Sequence, residues 1–164
     1  MEEYFDVYNI NYEKIGKTHK RGEPREKGTY AIVVNVWIMN STNEILLAQR
    51  HQDKKIYGGL WECSASGAVL AGEDSLKGAI RETKEEIGVD LFPSEAIHLE
   101  TIFREDTIRD TFLFKKDISI DDLILQPDEV INAKWATKQE YENMCSNGLI
   151  APPTMNFWEL YYDE

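Results

Sequence analysis

The sequence predicts an α/β fold in which a mixed β-sheet is layered between helices. Two segments carry that expectation. Ala31 to Met39, Ala-Ile-Val-Val-Asn-Val-Trp-Ile-Met, is apolar almost without alternation, the pattern of a strand covered on both faces. Ser75 to Ile87 then switches to a helical period, with Leu76, Ala79, Ile80, Thr83 and Ile87 on one face. Strand-like and helical segments follow one another to the end, and a fully apolar strand hides both faces only inside such a sandwich.

The remaining elements are read in chain order. Tyr4 to Tyr8, a polar connection Asn9 to Glu13, and Lys14 to Lys17 form a short hairpin, and the charged stretch His19 to Lys27 is expected to be loop. Ser41-Thr42-Asn43 turns the chain from the apolar strand into Glu44 to Arg50. Asp74 or Ser75 caps the helix and Gly88 ends it. Ile97 to Phe103, Thr107 to Lys115 and Val130 to Thr137 have strand composition, while Lys138 to Ser146 and Thr154 to Tyr162 read as helices, the latter after Pro152-Pro153. The chain shows no repeat, low-complexity tract or long Gly/Pro/Ser linker. One domain is therefore expected over residues 1–164, with residues 1–28 packed on it as hairpin and loop.

Composition narrows the function. With 18 Lys plus Arg against 30 Asp plus Glu, the formal charge is −12, which repels phosphate backbones and anionic lipid. No apolar run approaches the length of a membrane span, so neither nucleic acid nor membrane is the expected partner. The start, Met-Glu-Glu-Tyr-Phe-Asp, has neither the basic nor the apolar region of a secretory signal, and a cytoplasmic location is expected. Cys63 and Cys145 read as separate reduced thiols, and His19, His51 and His98 are scattered without ligand spacing. A small anionic substrate would need a metal ion or local basic groups to enter such a protein.

Glu82, Glu85 and Glu86 stand at i, i+3 and i+4 of the predicted helix, on a face expected to point away from the apolar stripe. Three like charges this close repel unless a cation holds them. Gathered carboxylate oxygens suit hard ions such as Mg²⁺ or Mn²⁺. An acidic solvated helix face is the plain alternative.

The context favours the metal. Gly67, five residues, Glu73, seven residues, then Arg81-Glu82-Thr83-Lys84-Glu85-Glu86-Ile87-Gly88-Val89 resembles the signature box of the Nudix hydrolases at every charged and glycine position. Thr83 departs from the pattern, standing where that family usually carries a larger aliphatic residue. Outside the box, Tyr4 to Gly22, the Val-Trp-Ile strand, Ile45 to Arg50, Gly59-Leu60-Trp61 and Pro127 to Val130 are similar to the branch containing the isopentenyl-diphosphate isomerases.

The resemblance implies a Nudix-type α/β/α sandwich with a mixed sheet, housing a metal-dependent pyrophosphohydrolase. Such an enzyme cleaves a nucleoside diphosphate linked to another group by water attack at phosphorus, with Mg²⁺ or Mn²⁺ as cofactor. It implies Glu82 and Glu86 as metal ligands, Glu85 as ligand or base, and the backbone carbonyl of Ser66 as a further ligand. Glu73 and Arg81 are implied to orient the loop and the carboxylates, although an ordinary Arg81–Glu85 pair at i+4 is the simpler reading of that arginine. Arg50, Lys54 and Lys55 form a small basic cluster where relatives grip the diphosphate. Asp110 falls roughly where some relatives place an additional carboxylate. Trp61, Trp135 and Trp158 read as core rather than as base-stacking platforms. Gly58 replaces a proline common in the family, which would loosen that turn.

Two other readings stay open. The isomerases use a cysteine one residue before the box glycine, where this chain has Ser66, and a histidine where it has Ala31. Cys63 is three residues out of register. A hydroxyl is too weak an acid for that task. A non-catalytic nucleotide-binding module has no need of the intact carboxylate set. None of the short arrays that mark particular substrates in the family is present. A small-molecule diphosphate is the expected partner, and a homodimer is implied by relatives.

Overall fold

The computed structural model describes residues 2–162. Along the chain run β1 (Tyr4–Tyr8), β2 (Lys14–Lys20), β3 (Ala31–Met39), β4 (Ile45–Arg50), β5 (Trp61–Glu62) and β6 (Ala65–Ala68). After these come α1 (Ser75–Ile87), β7 (Ile97–Phe103), β8 (Thr107–Lys115), β9 (Val130–Ala136), α2 (Lys138–Ser146) and α3 (Phe157–Tyr162), with three single 3₁₀ turns between.

The apolar strand β3 is the spine of a seven-stranded mixed sheet. One of its edges pairs in parallel with β8 over its whole length, from Ala31 opposite Thr107 to Met39 opposite Lys115. The other edge is shared. Val33 to Val36 pair antiparallel with Ala68 to Ala65 of β6, and Met39 pairs with Ile45 of β4. Beyond these, β7 flanks β8, while β5 and β9 flank β4.

Alternation along β3 divides the core into two layers. Ile32, Val34, Val36 and Ile38 face Ala79 and Ile87 of α1 together with Ile108, Phe112 and Phe114. Trp37 and Met39 face Tyr141 and Met144 of α2 and Phe157 and Trp158 of α3. An α/β/α sandwich with a mixed sheet results, as expected. Trp158 is a core residue, and Trp135 is half-buried against the core, donating its indole N–H to the Ile118 carbonyl at 3.0 Å. Trp61 is half-buried, with the Lys134 ammonium 4.8 Å from its ring centre.

Several boundaries differ from the sequence reading. β2 runs to Lys20, so His19 and Lys20 are strand rather than loop. They pair with Phe5 and Tyr4, and the Lys20 ammonium meets Glu2 at 2.6 Å, which lets a charged segment serve as an exposed strand. The last helix begins at Phe157, not Thr154. Pro152 to Thr154 form a 3₁₀ turn whose Thr154 hydroxyl donates to the Ala151 carbonyl at 2.9 Å, closing the turn before α3 starts. Thr137 caps α2 instead of ending β9, accepting the Glu140 N–H at 3.1 Å. The short strands β5 and β6 have no periodicity of their own to announce them.

The N-terminal hairpin forms a separate two-stranded sheet docked on the main body. Tyr8 and Tyr30 exchange backbone hydrogen bonds of 2.9 Å in each direction, and the Ala71 N–H donates to the Tyr4 carbonyl at 2.8 Å. On α1, Asp74 caps the start by accepting the Lys77 N–H at 2.8 Å, and Gly88 ends it in a left-handed conformation. Thr83 is fully buried, and its hydroxyl donates back to the Ala79 carbonyl at 2.8 Å, which removes the cost of a polar residue there.

Ser64 joins the two strands that lead to the loop before α1. Its fully buried hydroxyl accepts the Ile38 N–H at 2.9 Å and donates to the Leu46 carbonyl at 2.7 Å. Ser64→Ala orphans both groups, so urea unfolding is expected to show a loss of about 1–3 kcal/mol; an unchanged midpoint would contradict this bridge.

Candidate active site

The site lies where β6 hands the chain to α1. Gly67 passes so close to the helix that a Cβ there would lie 2.2 Å from the Glu82 carboxyl carbon, so only glycine lets the carboxylate rest against the strand. One residue earlier, the Ser66 N–H donates to Glu86 Oε1 at 3.2 Å. Glu86 is buried at 6% exposure, which corrects the expectation that all three glutamates face away from the apolar side.

Arg81 fastens the loop to the helix. Its Nε and Nη2 form a two-pronged bond to Glu73 at 2.8 and 3.0 Å, and Nη2 also reaches the Ala68 carbonyl at 2.9 Å. Glu73 in turn accepts the Leu70 N–H at 2.9 Å. The Arg81 Nη1 bridges Glu82 at 3.1 Å and Glu85 at 3.2 Å. Both readings of Arg81 thus hold at once, since the same guanidinium orients the loop and makes the i,i+4 pair.

A cavity of about 260 Å³ opens over these groups, lined by Ser66, Gly67, Glu82, Glu85, Glu86, Arg50 and Lys54 among others. Its charges are unbalanced. Burial pushes Glu82 up to about 7 despite Arg81, with Glu85 and Glu3 adding to the rise. Burial also raises Glu86, reinforced by Glu82 and Glu62, and raises Glu62 against the pull of Arg50. Carboxylates crowded in a poorly solvated pocket favour a cation among them.

Among the described residues, no three carboxylate, imidazole or thiol side chains converge on one point. Arg81 holds Glu85 aside, and Glu86 leans on the Ser66 N–H. The Arg81–Glu85 pair is half exposed on the Glu85 side, so turning Glu85 inward costs little. The donor set, carboxylate oxygens beside a strand backbone, has the chemistry a hard divalent ion requires.

Not every expected residue reaches this cavity. Lys55 is exposed and outside its lining. Arg50 and Lys54 line it already paired, Arg50 to Glu62 at 3.0 Å and Lys54 to Glu129. Asp110 lies elsewhere. It sits on the α1 face of β8, where it accepts hydrogen bonds from Tyr12 and, at 2.5 Å, from Thr101. There it anchors the N-terminal hairpin. Gly58 does not loosen its turn: a Cβ would sit 2.5 Å from the Gln52 carbonyl oxygen and 2.6 Å from that of Lys54, so the loop closes too tightly for a larger residue.

Sequence reasoning missed Glu62, Gln126 and Glu129 as lining groups, and Glu3 and Arg21 at the mouth. The signal for Glu62 was a lone charge in the apolar run Leu60-Trp61-Glu62-Cys63. Cys63 belongs to the opposite core layer, where its thiol donates to the Ala65 carbonyl at 3.2 Å and burial holds it well above its usual range. It is not poised as an acid.

A second cavity of about 930 Å³ adjoins the first, with Arg21 and Ala68 in both linings. Its floor includes Ala31, Val33 and Ala68, and its roof is the segment 21–29, pinned where Arg25 meets Asp106 at 2.6 Å.

Comparison with known proteins identifies the family and the fold. Residues 29–153 match the NUDIX domain family. An uncharacterized Nudix hydrolase of Listeria monocytogenes is 37% identical over 152 residues, covering 93% of this chain and 89% of that protein. Among solved structures, DR0079 from Deinococcus radiodurans superposes with a TM-score of 0.74 at 22% identity, over 96% of both chains. A bifunctional NMN adenylyltransferase/ADP ribose pyrophosphatase of Francisella tularensis, solved with AMP and a manganese ion, gives 0.65 at 18% identity over 85% of this chain and 43% of that one. From the matched domain and the close relative together, the chain belongs to the Nudix hydrolases.

Proposed function

We propose that the protein is a divalent-metal-dependent pyrophosphohydrolase acting on a nucleoside diphosphate joined to another group. The observation that carries this reading is the pair of carboxylates, the half-buried Glu82 and the buried Glu86, held against Gly67 and the Ser66 N–H with too few cations to balance them. Glu82, Glu86 and the Ser66 carbonyl would hold Mg²⁺ or Mn²⁺, with Glu85 completing the set or acting as base. The Francisella tularensis neighbour, solved with manganese, is in keeping with that choice.

Bound there, the ion supplies charge neutralisation of the diphosphate and a lower pKa for an attacking water. The chain does the rest. Arg81 and Glu73 hold the carboxylates in place from behind, as outer partners of a metal site do. A carboxylate beside the ion, Glu85 by its half-exposed position, accepts the proton from water. Arg50, Lys54 and Arg21 grip the diphosphate by exchanging their present partners Glu62, Glu129 and Glu3 for phosphate oxygens. The larger adjoining cavity receives the organic part of the substrate. This reading treats the hairpin and main body as one catalytic domain working in the cytoplasm. The isomerase alternative lacks support from Cys63, which is buried in the opposite core layer.

The reading is tested by phosphate release, coupled to a phosphatase, across nucleoside diphosphate derivatives with Mg²⁺ or Mn²⁺. Glu86→Gln is expected to lose at least about a hundredfold in turnover while keeping its fold. Equal turnover in the variant would remove Glu86 from the metal site. In the absence of metal the same variant should be no less stable than the parent to heat, because it deletes a buried carboxyl that Glu82 and Glu62 repel. Gly67→Ala forces the Glu82 carboxylate off the strand and should cut kcat with little change in Tm; full activity would show the close approach to be dispensable. Finally, Mg²⁺ should raise Tm in the parent and much less in Glu82→Gln, since a ligand of the folded state stabilises only what can bind it.

A further inference from the structure

Four of the six arginines in this acidic chain are engaged: Arg21, Arg25, Arg50 and Arg81 each hold a carboxylate. Arg104 and Arg109 pair with none among the described residues. Arg109 is the more telling of the two. It is half-buried on β8, and its Nε is sealed from solvent without a hydrogen-bond partner. Burial, and then the charge of Arg104, pulls its pKa down, while Glu100 acts on it only from beyond ion-pair distance. A chain with 30 acidic residues that leaves two arginines near each other without a carboxylate partner has left room for an anion from outside.

Strand register says where that anion belongs. Asn35, the one polar side chain inserted in the apolar strand β3, pairs with Ser66 on one side and Thr111 on the other. One step along the strands, Val33 pairs with Ala68 and with Arg109. Paired residues share a face, and this face is the one opposite α1. Ser66, Asn35 and Thr111 therefore form a polar row across three strands of a sheet otherwise made for packing, and Arg109 stands two residues along β8 from its end on the same face. Ser66 lines the carboxylate cavity, and Val33 and Ala68 line the larger one. From β6 to β8 the row spans roughly 10 Å, two interstrand spacings.

We propose that Arg109, with Arg104 beside it and Asn35 and Thr111 along the same face, receives a second anionic group, a phosphate or a carboxylate, carried by the substrate about 10 Å from its diphosphate. This rests on the reading of Glu82 and Glu86 as the diphosphate end. It selects substrates charged at both ends over those whose leaving group is neutral.

Two measurements test it separately from that reading. In ¹H–¹⁵N spectra of the metal-free protein, the Arg109 Nε–H, identified by its loss in Arg109→Gln, should shift saturably with inorganic phosphate or with acetate; the more effective anion names the group. A shift that grows linearly without saturation, or none, overturns the receptor. Turnover with Mg²⁺ is then compared within matched pairs, NADPH against NADH for a phosphate and nicotinic acid adenine dinucleotide against NAD for a carboxylate. The anionic member should lead in kcat/KM by about ten- to a hundredfold, and the ratio should collapse toward one in Arg109→Gln while the other arginine resonances stay in place. A ratio that is the same in parent and variant overturns the proposal even if both hydrolyse. A saturable shift without metal-dependent turnover of any compound in the panel keeps the receptor and overturns the hydrolase reading instead.

Discussion

The contact on which the site depends is that of the Glu82 carboxylate with the backbone at Gly67. It sets how near α1 comes to β6, and so brings Glu86 to the Ser66 N–H and the Arg81 fork to the Ala68 carbonyl and Glu73. A side chain at position 67 would push the carboxylate away, and the rest of the arrangement would lose its reference point. Helix and strand are rigid, so one close approach fixes many positions.

That geometry is bought with poor electrostatics. Glu62, Glu82 and Glu86 are withdrawn from water near one another, and burial is the first cause of the raised pKa of each. The protein compensates only in part, through Arg50 from one side and Arg81 from the other. A pocket left in this state favours a cation, and under the proposed function that cation would draw in a phosphate anion that the net charge of the chain would otherwise repel.

The N-terminal hairpin, which lies outside the matched domain, is tied to the same loop. Asp6 accepts the Gly72 N–H at 2.8 Å, Tyr4 accepts that of Ala71, and Tyr12 reaches Asp110 on the sheet. Glu3 and Arg21 then stand at the mouth of the carboxylate cavity. The hairpin braces the loop before α1 and narrows the approach to it.

What could be read from the sequence was whatever is encoded locally. The apolar period of α1, its caps at Asp74 and Gly88, the covered strand β3 and the spacing of Glu82, Glu85 and Glu86 all lie within single segments, where periodicity and capping chemistry act over a few residues. What could not be read came from register and packing. Glu62 enters the cavity because β5 pairs with β4, and Asp110 leaves it because alternation on β8 points it toward Tyr12. The extension of β2 to Lys20 exists because β1 supplies partners for it, and the delayed start of α3 follows from a turn closed by Thr154. The polar face from Ser66 to Arg109 joins residues 43 apart in number that share no local pattern. By itself the sequence determined the longer elements and the carboxylate triplet, because those depend on neighbours along the chain. Only the tertiary structure decided which charges are buried together and which arginines are left over, because burial and pairing depend on neighbours in space.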